Sequence, residues 1–74
     1  MATTTLDASG LKCPLPVLRA RKALKPLVSG DLLEVLSTDP SSPEDFRNFC
    51  ETTGDTLLEE GEENGTFRFL IQKR

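Results

Sequence analysis

Gly10-Leu11-Lys12-Cys13-Pro14-Leu15-Pro16 sets a cysteine in front of two prolines and opens an amphipathic, basic run that continues to Leu27. Proline fixes φ and lacks an N–H, so it is tolerated in the first turn of a helix, where that donor has no partner anyway. The stretch therefore reads as a helix start, with Cys13 at the N-cap, Pro14 at the first helical position and Pro16 two residues on. A thiol placed there faces orphan backbone N–H groups and the positive end of the helix dipole, both of which favour an anion. Lys12 puts a cation next to it, which lowers a thiol pKa further. Pro14 and Pro16 donate nothing, so the amides open to the sulfur are those of Leu15 and Val17. Cys13 is expected to be a reactive thiolate on a rigid turn.

Working outward, the residues that follow can be placed on a helix at ~100° per residue over positions 14–27. Val17, Ala20, Leu24, Leu27 and Val28 fall on one side, which is the expected buried face. Leu15 and Leu18 fall outside that arc, among Arg19, Lys22 and Lys25. Two leucines ringed by cations beside a reactive cysteine suit docking of an apolar, acidic partner surface. Exposed leucines are also ordinary on monomers, and both readings stand at this stage. Pro26 ends or distorts the helix, because its ring clashes with the carbonyl of Lys22. Upstream, the threonine-rich residues 3–8 alternate about Leu6 and predict a short strand. Ser9-Gly10 then turns the chain, Gly10 either taking a conformation closed to other residues or serving as an ordinary loop glycine.

Downstream, Ser29-Gly30-Asp31 is a turn, and residues 32–37 carry apolar side chains on both faces, the mark of an interior strand. Ser42 is the expected N-cap of a second helix, with Pro43 at its first position and Glu44 and Asp45 in the first turn. Phe46, Phe49, Cys50 and Thr53 recur at i, i+3, i+4 and i+7, so Cys50 belongs to a core stripe and reads as an inert, small apolar residue. A resolving thiol is the alternative role for Cys50. Gly54 is a natural C-cap. Residues 56–60 predict a strand, and Asn64-Gly65 signals a hairpin into a last strand over 66–73. In that strand Phe67, Phe69 and Ile71 alternate with Arg68 and Gln72. The acidic run 59–63 reads as a solvated hairpin. The order is β-α-β-α-β-β, an α+β two-layer sandwich with a mixed four-stranded sheet and both helices on one face.

Composition narrows the chemistry. At 74 residues, with 36% hydrophobic and 28% charged residues, the chain predicts one small soluble domain over 1–74. No apolar run approaches the ~18 residues that a spanning helix needs. Met-Ala-Thr-Thr-Thr lacks the basic start and apolar stretch of a secretory signal, so the expected compartment is the cytoplasm. A reducing compartment argues against a Cys13–Cys50 disulfide. Histidine is absent, which removes a Cys–His dyad and the usual metal-ligand sets; neither a metal nor a cofactor is expected. Net charge is −3, yet Lys12, Arg19, Arg21, Lys22 and Lys25 fall between residues 10 and 30 with no acid among them. That asymmetry suggests an electrostatically steered docking face rather than a general nucleic-acid binder, and without a spanning run no membrane partner is expected.

Residues 6–24 resemble the opening of the TusA family of small sulfur carrier proteins (SirA-like, with a C-P-x-P motif). The resemblance continues through Gly30-Asp31-Leu32-Leu33-Glu34-Val35, Thr38-Asp39-Pro40, Phe49-Cys50 and Phe67-Arg68-Phe69-Leu70-Ile71, and it is loose over residues 52–65. It implies the same two-layer architecture, with Cys13 carrying sulfur as a persulfide and Gly10, Lys12, Pro14 and Pro16 supporting it. The partners implied are a sulfur donor protein (a cysteine desulfurase, a rhodanese or a DsrE-type protein) and an acceptor protein of a sulfur relay. The relay's end point would be tRNA thiolation, molybdenum cofactor supply or sulfur oxidation. Such a protein is a sulfurtransferase-like carrier more than a turnover enzyme. A thioredoxin-type dithiol is disfavoured, since Pro16 stands where Cys-x-x-Cys has its second thiol. The rival from another class is a small RNA- or protein-binding module, as in the C-terminal domain of translation initiation factor three. The acidic balance and the lack of tryptophan and tyrosine weigh against it.

Overall fold

The computed structural model describes residues 3–74. Met1 and Ala2, which begin the stretch read as lacking a secretory signal, lie outside the described residues. Six elements follow one another: β1 (Thr3–Ala8), α1 (Leu15–Leu24), β2 (Leu32–Ser37), α2 (Ser42–Thr53), β3 (Thr56–Glu63) and β4 (Thr66–Gln72). The strands form one mixed sheet in the order β1-β2-β4-β3. β1 runs parallel to β2, with Thr3 beside Leu32 and Ala8 beside Ser37. β4 is antiparallel to both β2 and β3. The expected element order and sandwich are therefore present. Among the described residues no helix is long and apolar enough to cross a membrane.

Alternation in the two interior strands decides which face the helices cover. Leu33, Val35 and Ser37 of β2 and Phe69 and Ile71 of β4 are buried, while their neighbours Leu32, Glu34, Leu36 and Arg68 are half-buried. Ala20 and Leu24 from α1, Phe46 and Cys50 from α2 and Ala8 from β1 complete the core. Phe46 stacks on Phe69 with ring centroids 4.6 Å apart. Full burial of such a side chain contributes about 1.5–3 kcal/mol, which matters in so small a core. On the opposite face Arg68 pairs with both Glu34 and Glu59, and Thr5 donates to Glu34. The Arg68 guanidinium and that hydroxyl hold the Glu34 carboxyl below its ordinary range.

Several boundaries differ from the sequence expectation, each for a local reason. α1 stops at Leu24 and not Leu27, since Pro26 can neither donate to the Lys22 carbonyl nor fit its ring beside it. The helical spacing therefore does not reach Val28, which is 66% exposed. Pro16, read only as a helix starter, is fully buried on the same face of α1 as Ala20 and Leu24. The N-cap of α1 is Pro14, so Cys13 lies one residue outside the helix; the Cys13–Pro14 peptide is cis. The N-cap of α2 is Ser41 rather than Ser42, which places Pro43 second in the helix and turns Ser42 inward. There the Ser42 and Ser37 hydroxyls share a 2.6 Å hydrogen bond, so two polar groups enter the core satisfied. β3 continues to Glu63 and not Glu60, with a bulge between Leu57 and Glu59, so the acidic run is the exposed end of that hairpin strand, solvated as expected. Asn64 and Gly65 both have positive φ, as a tight hairpin turn requires.

Candidate functional site

Because β1 and β2 are parallel, the loops that leave their carboxyl ends emerge side by side. One loop carries Cys13 and the other carries Asp39. Two bonds tie the pair together, and a third steadies the second loop. The Gly10 N–H donates to Thr38 Oγ1 at 2.9 Å, and the Cys13 N–H donates to Asp39 Oδ2 at 2.8 Å. Asp39 Oδ1 accepts from the Ser41 N–H at 3.3 Å, so the same carboxylate caps the start of α2. Gly10 has φ +82°, which settles its role as a turn that other residues would enter only under strain. Buried Pro16 anchors the far side of the cysteine loop to the core.

Held this way, Cys13 is an exposed thiol, whereas Cys50 is buried. Burial, with Asp55 nearby, pushes the Cys50 thiol up to about 11. The expected thiolate character of Cys13 is not what its surroundings favour. The Asp45 carboxylate accepts the thiol's hydrogen bond and pushes its pKa above the ordinary range; lost hydration and the Asp39 charge add to the effect. The amide of Leu15, expected to face the sulfur, donates instead to the Lys12 carbonyl at 2.8 Å. Lys12 neighbours Cys13 in sequence, but the charges that reach the sulfur are carboxylates.

Sγ of Cys13 and one oxygen each from Asp39 and Asp45 lie within 4.8 Å of one another. Such a trio has the composition of a partial metal site. Asp39 already serves two backbone amides, which leaves only the thiol and Asp45, fewer than the three or four protein ligands of zinc sites. Neither aspartate was singled out at the sulfur by sequence reasoning. They stand 26 and 32 residues beyond Cys13, and the usable signal was the βαβ order, which brings the ends of parallel strands together.

Cys13 sits at the mouth of a groove of ≈ 440 Å³ between α1 and α2, lined by Val17, Leu18 and Phe49 with Arg21, Asp45 and Asn48. Leu15 and Leu18 are 44% and 51% exposed, and Arg19, Lys22 and Lys25 are exposed as well. Leu18, Lys22 and Lys25 share a shallow surface with Arg21 that joins the groove at Leu18. Leu15 and Arg19 line neither depression. A wider depression, ≈ 560 Å³, lies on the open sheet face over Leu36, the β3 glutamates and Arg68, with no cysteine in its lining.

Fold and site define a small α/β sandwich that presents one exposed thiol on a braced loop beside an apolar groove. The family described as sulfurtransferase TusA matches residues 4–73. A sulfur carrier protein TusA from Allochromatium vinosum is 56% identical over 68 residues, covering 92% of this chain and 90% of that protein. Another, from Pseudomonas entomophila, is 44% identical over 70 residues, covering 95% and 88%. The crystal structure of a SirA-like protein from Desulfitobacterium hafniense superposes with a TM-score of 0.82 at 34% identity, covering 93% of this chain and 95% of that one. The chain belongs to the TusA family.

Proposed function

We propose that this protein is a sulfur carrier that takes up sulfane sulfur as a persulfide on Cys13 and passes it to a cysteine of an acceptor protein. The observation that supports this most directly is the contrast between the two thiols: Cys13 exposed and braced at a groove mouth, Cys50 closed off in the core. The names of its relatives agree with a carrier role. Transfer requires a sulfur nucleophile, a persulfide whose outer sulfur can be attacked, and a thiolate that leaves, the logic of thiol–disulfide exchange. A carrier of this kind works between a donor and an acceptor protein in a sulfur relay, in the cytoplasm, with residues 1–74 acting as one domain. A cysteine desulfurase, a rhodanese or a DsrE-type protein fits the donor role. Leu15, Leu18, Arg19, Lys22 and Lys25 form the docking surface, apolar contact supplying residence time and the cations steering encounter.

Incubation with a persulfide donor followed by intact-protein mass spectrometry tests the reading. The wild type and Cys50→Ala gain the mass of one sulfur, reversed by dithiothreitol, and Cys13→Ser gains none. Loading that survived Cys13→Ser, or vanished in Cys50→Ala while that variant stayed folded, would assign the roles wrongly.

A further inference from the structure

We propose that the Asp45 carboxylate is the proton acceptor and donor for sulfur transfer at Cys13. The inference rests on the sulfur-carrier reading and assigns a second residue to the same site. Geometry separates the two aspartates beside the sulfur. Asp39 has one oxygen on the Cys13 amide and the other on the Ser41 amide, so it positions the loop. Asp45, in the first turn of α2, accepts no other hydrogen bond among the described residues and lines the groove that Cys13 opens onto.

The other charged groups near the sulfur cannot do this work. They are Lys12 on the cysteine's own loop, Arg21 from α1 in the same groove and Asp39 from the loop after β2. An arginine keeps its proton in proteins, and a lysine is a poor base near neutral pH because it is already protonated. The chain contains no histidine. The carboxylates also oppose spontaneous ionisation of Cys13, so the thiol holds its proton at rest. Any persulfide donor that enters the groove therefore meets a protonated thiol, and the uncommitted carboxylate beside it is that of Asp45.

The step balances without any other reagent. Asp45 takes the proton from Cys13 Sγ, and the sulfur attacks the outer sulfur of a donor persulfide, R–S–SH. A new S–S bond forms on Cys13, the donor's S–S bond breaks, and the departing R–S⁻ receives the proton from Asp45. A thiol and a persulfide become a persulfide and a thiol, and the sulfane sulfur has changed hosts. In delivery the same steps run in reverse: Asp45 takes the proton from the acceptor thiol, whose sulfur attacks the outer sulfur, and the departing Cys13 sulfur is reprotonated from Asp45.

The experiment compares wild type, Asp45→Asn and Asp45→Glu from pH 5 to 10, with glutathione persulfide as sulfur source and iodoacetamide as alkylating probe. Alkylation consumes preformed thiolate and expels iodide, which needs no proton. Removing the Asp45 charge therefore speeds alkylation at neutral pH. Sulfur uptake needs the proton moved, so Asp45→Asn slows it about a hundredfold at pH 7, the lower end of general acid–base effects. The two variants converge with wild type at high pH, and Asp45→Glu recovers part of the uptake. Uptake that rises in parallel with alkylation, or stays level, overturns the proposal and leaves Asp45 as an electrostatic brake. If wild type took up no sulfur on Cys13 at any pH, the carrier reading would fall first and take this one with it.

Discussion

Replacing Asp39 by alanine removes two hydrogen bonds at once, one from the Cys13 amide at 2.8 Å and one from the Ser41 amide at 3.3 Å. Hydrogen bonds to a charged group contribute roughly 1.5–3 kcal/mol each, and loss of a helix-capping side chain costs about 1 kcal/mol. Asp39 is half-buried and its second bond is long, so solvent recovers part of that; the expected loss is about 2 kcal/mol. For a domain of this size, that lowers Tm by about 8–16 °C. Asn keeps one acceptor oxygen and should lose about half as much. The same substitution removes an anion beside the thiol, so the pH midpoint for Cys13 alkylation moves down. Thermal unfolding followed by circular dichroism, with iodoacetamide rates against pH, reads both effects. An Asp39→Ala protein that melted within about 2 °C of wild type, far short of the expected drop, and kept its alkylation profile would refute the reasoning.

Ser37 and Ser42 share a bond in the core, so either alanine variant leaves a buried hydroxyl without its partner and costs about 1–3 kcal/mol. Ser37 Oγ also accepts from the Asp39 amide, so the double variant should cost less than the sum of the singles in urea unfolding, unless the two hydroxyls are uncoupled. Cys50, raised from 9.0 to about 11 by burial, favours the folded state only while protonated. Its contribution is complete below the unfolded pKa and is lost as pH rises through about 11; Cys50→Ala should flatten that part of the stability–pH curve. On the docking surface, Lys22→Glu should slow association with an acidic partner and make it less sensitive to salt, while Leu18→Ala should mainly speed dissociation. Surface plasmon resonance against the relay partner separates the two, and unchanged rates over a range of salt would move docking elsewhere, with the Thr38-Asp39-Pro40 loop as the next surface to test.

What could be read from sequence was whatever depends on neighbours in the chain. Paired apolar faces marked β2 as interior, Asn64-Gly65 marked the hairpin, and Phe46, Phe49 and Cys50 marked the inward stripe of α2. Cys13 stood out by its prolines. The sulfur's electrostatics were misread because the charges that govern it come from another loop and another helix, while Lys12, adjacent in sequence, counts for little. Pro16 was misjudged for a related reason: its φ is local, but its burial depends on which face of α1, shared with Ala20 and Leu24, turns to the core. The capping of α2 was shifted by one residue since Ser42 found a better partner in Ser37 than in its own helix.

The strand that comes last in order, β4, does not sit at a sheet edge. It lies between β2 and β3 and pairs with both. A nascent chain that has reached only Glu63 therefore owns the β1–β2 pair and β3 but no strand to join β3 to that pair, and its core lacks Phe69 and Ile71. A parallel pair with two helices, lacking the apolar side chains of β4, buries too little to stand alone in water. The loops that brace Cys13 hang from the ends of that pair, so the sulfur site is assembled last although its cysteine is made among the first residues. A chain without β4 is therefore expected to hold its thiol on an unbraced loop, without Asp39 and Asp45 fixed beside it.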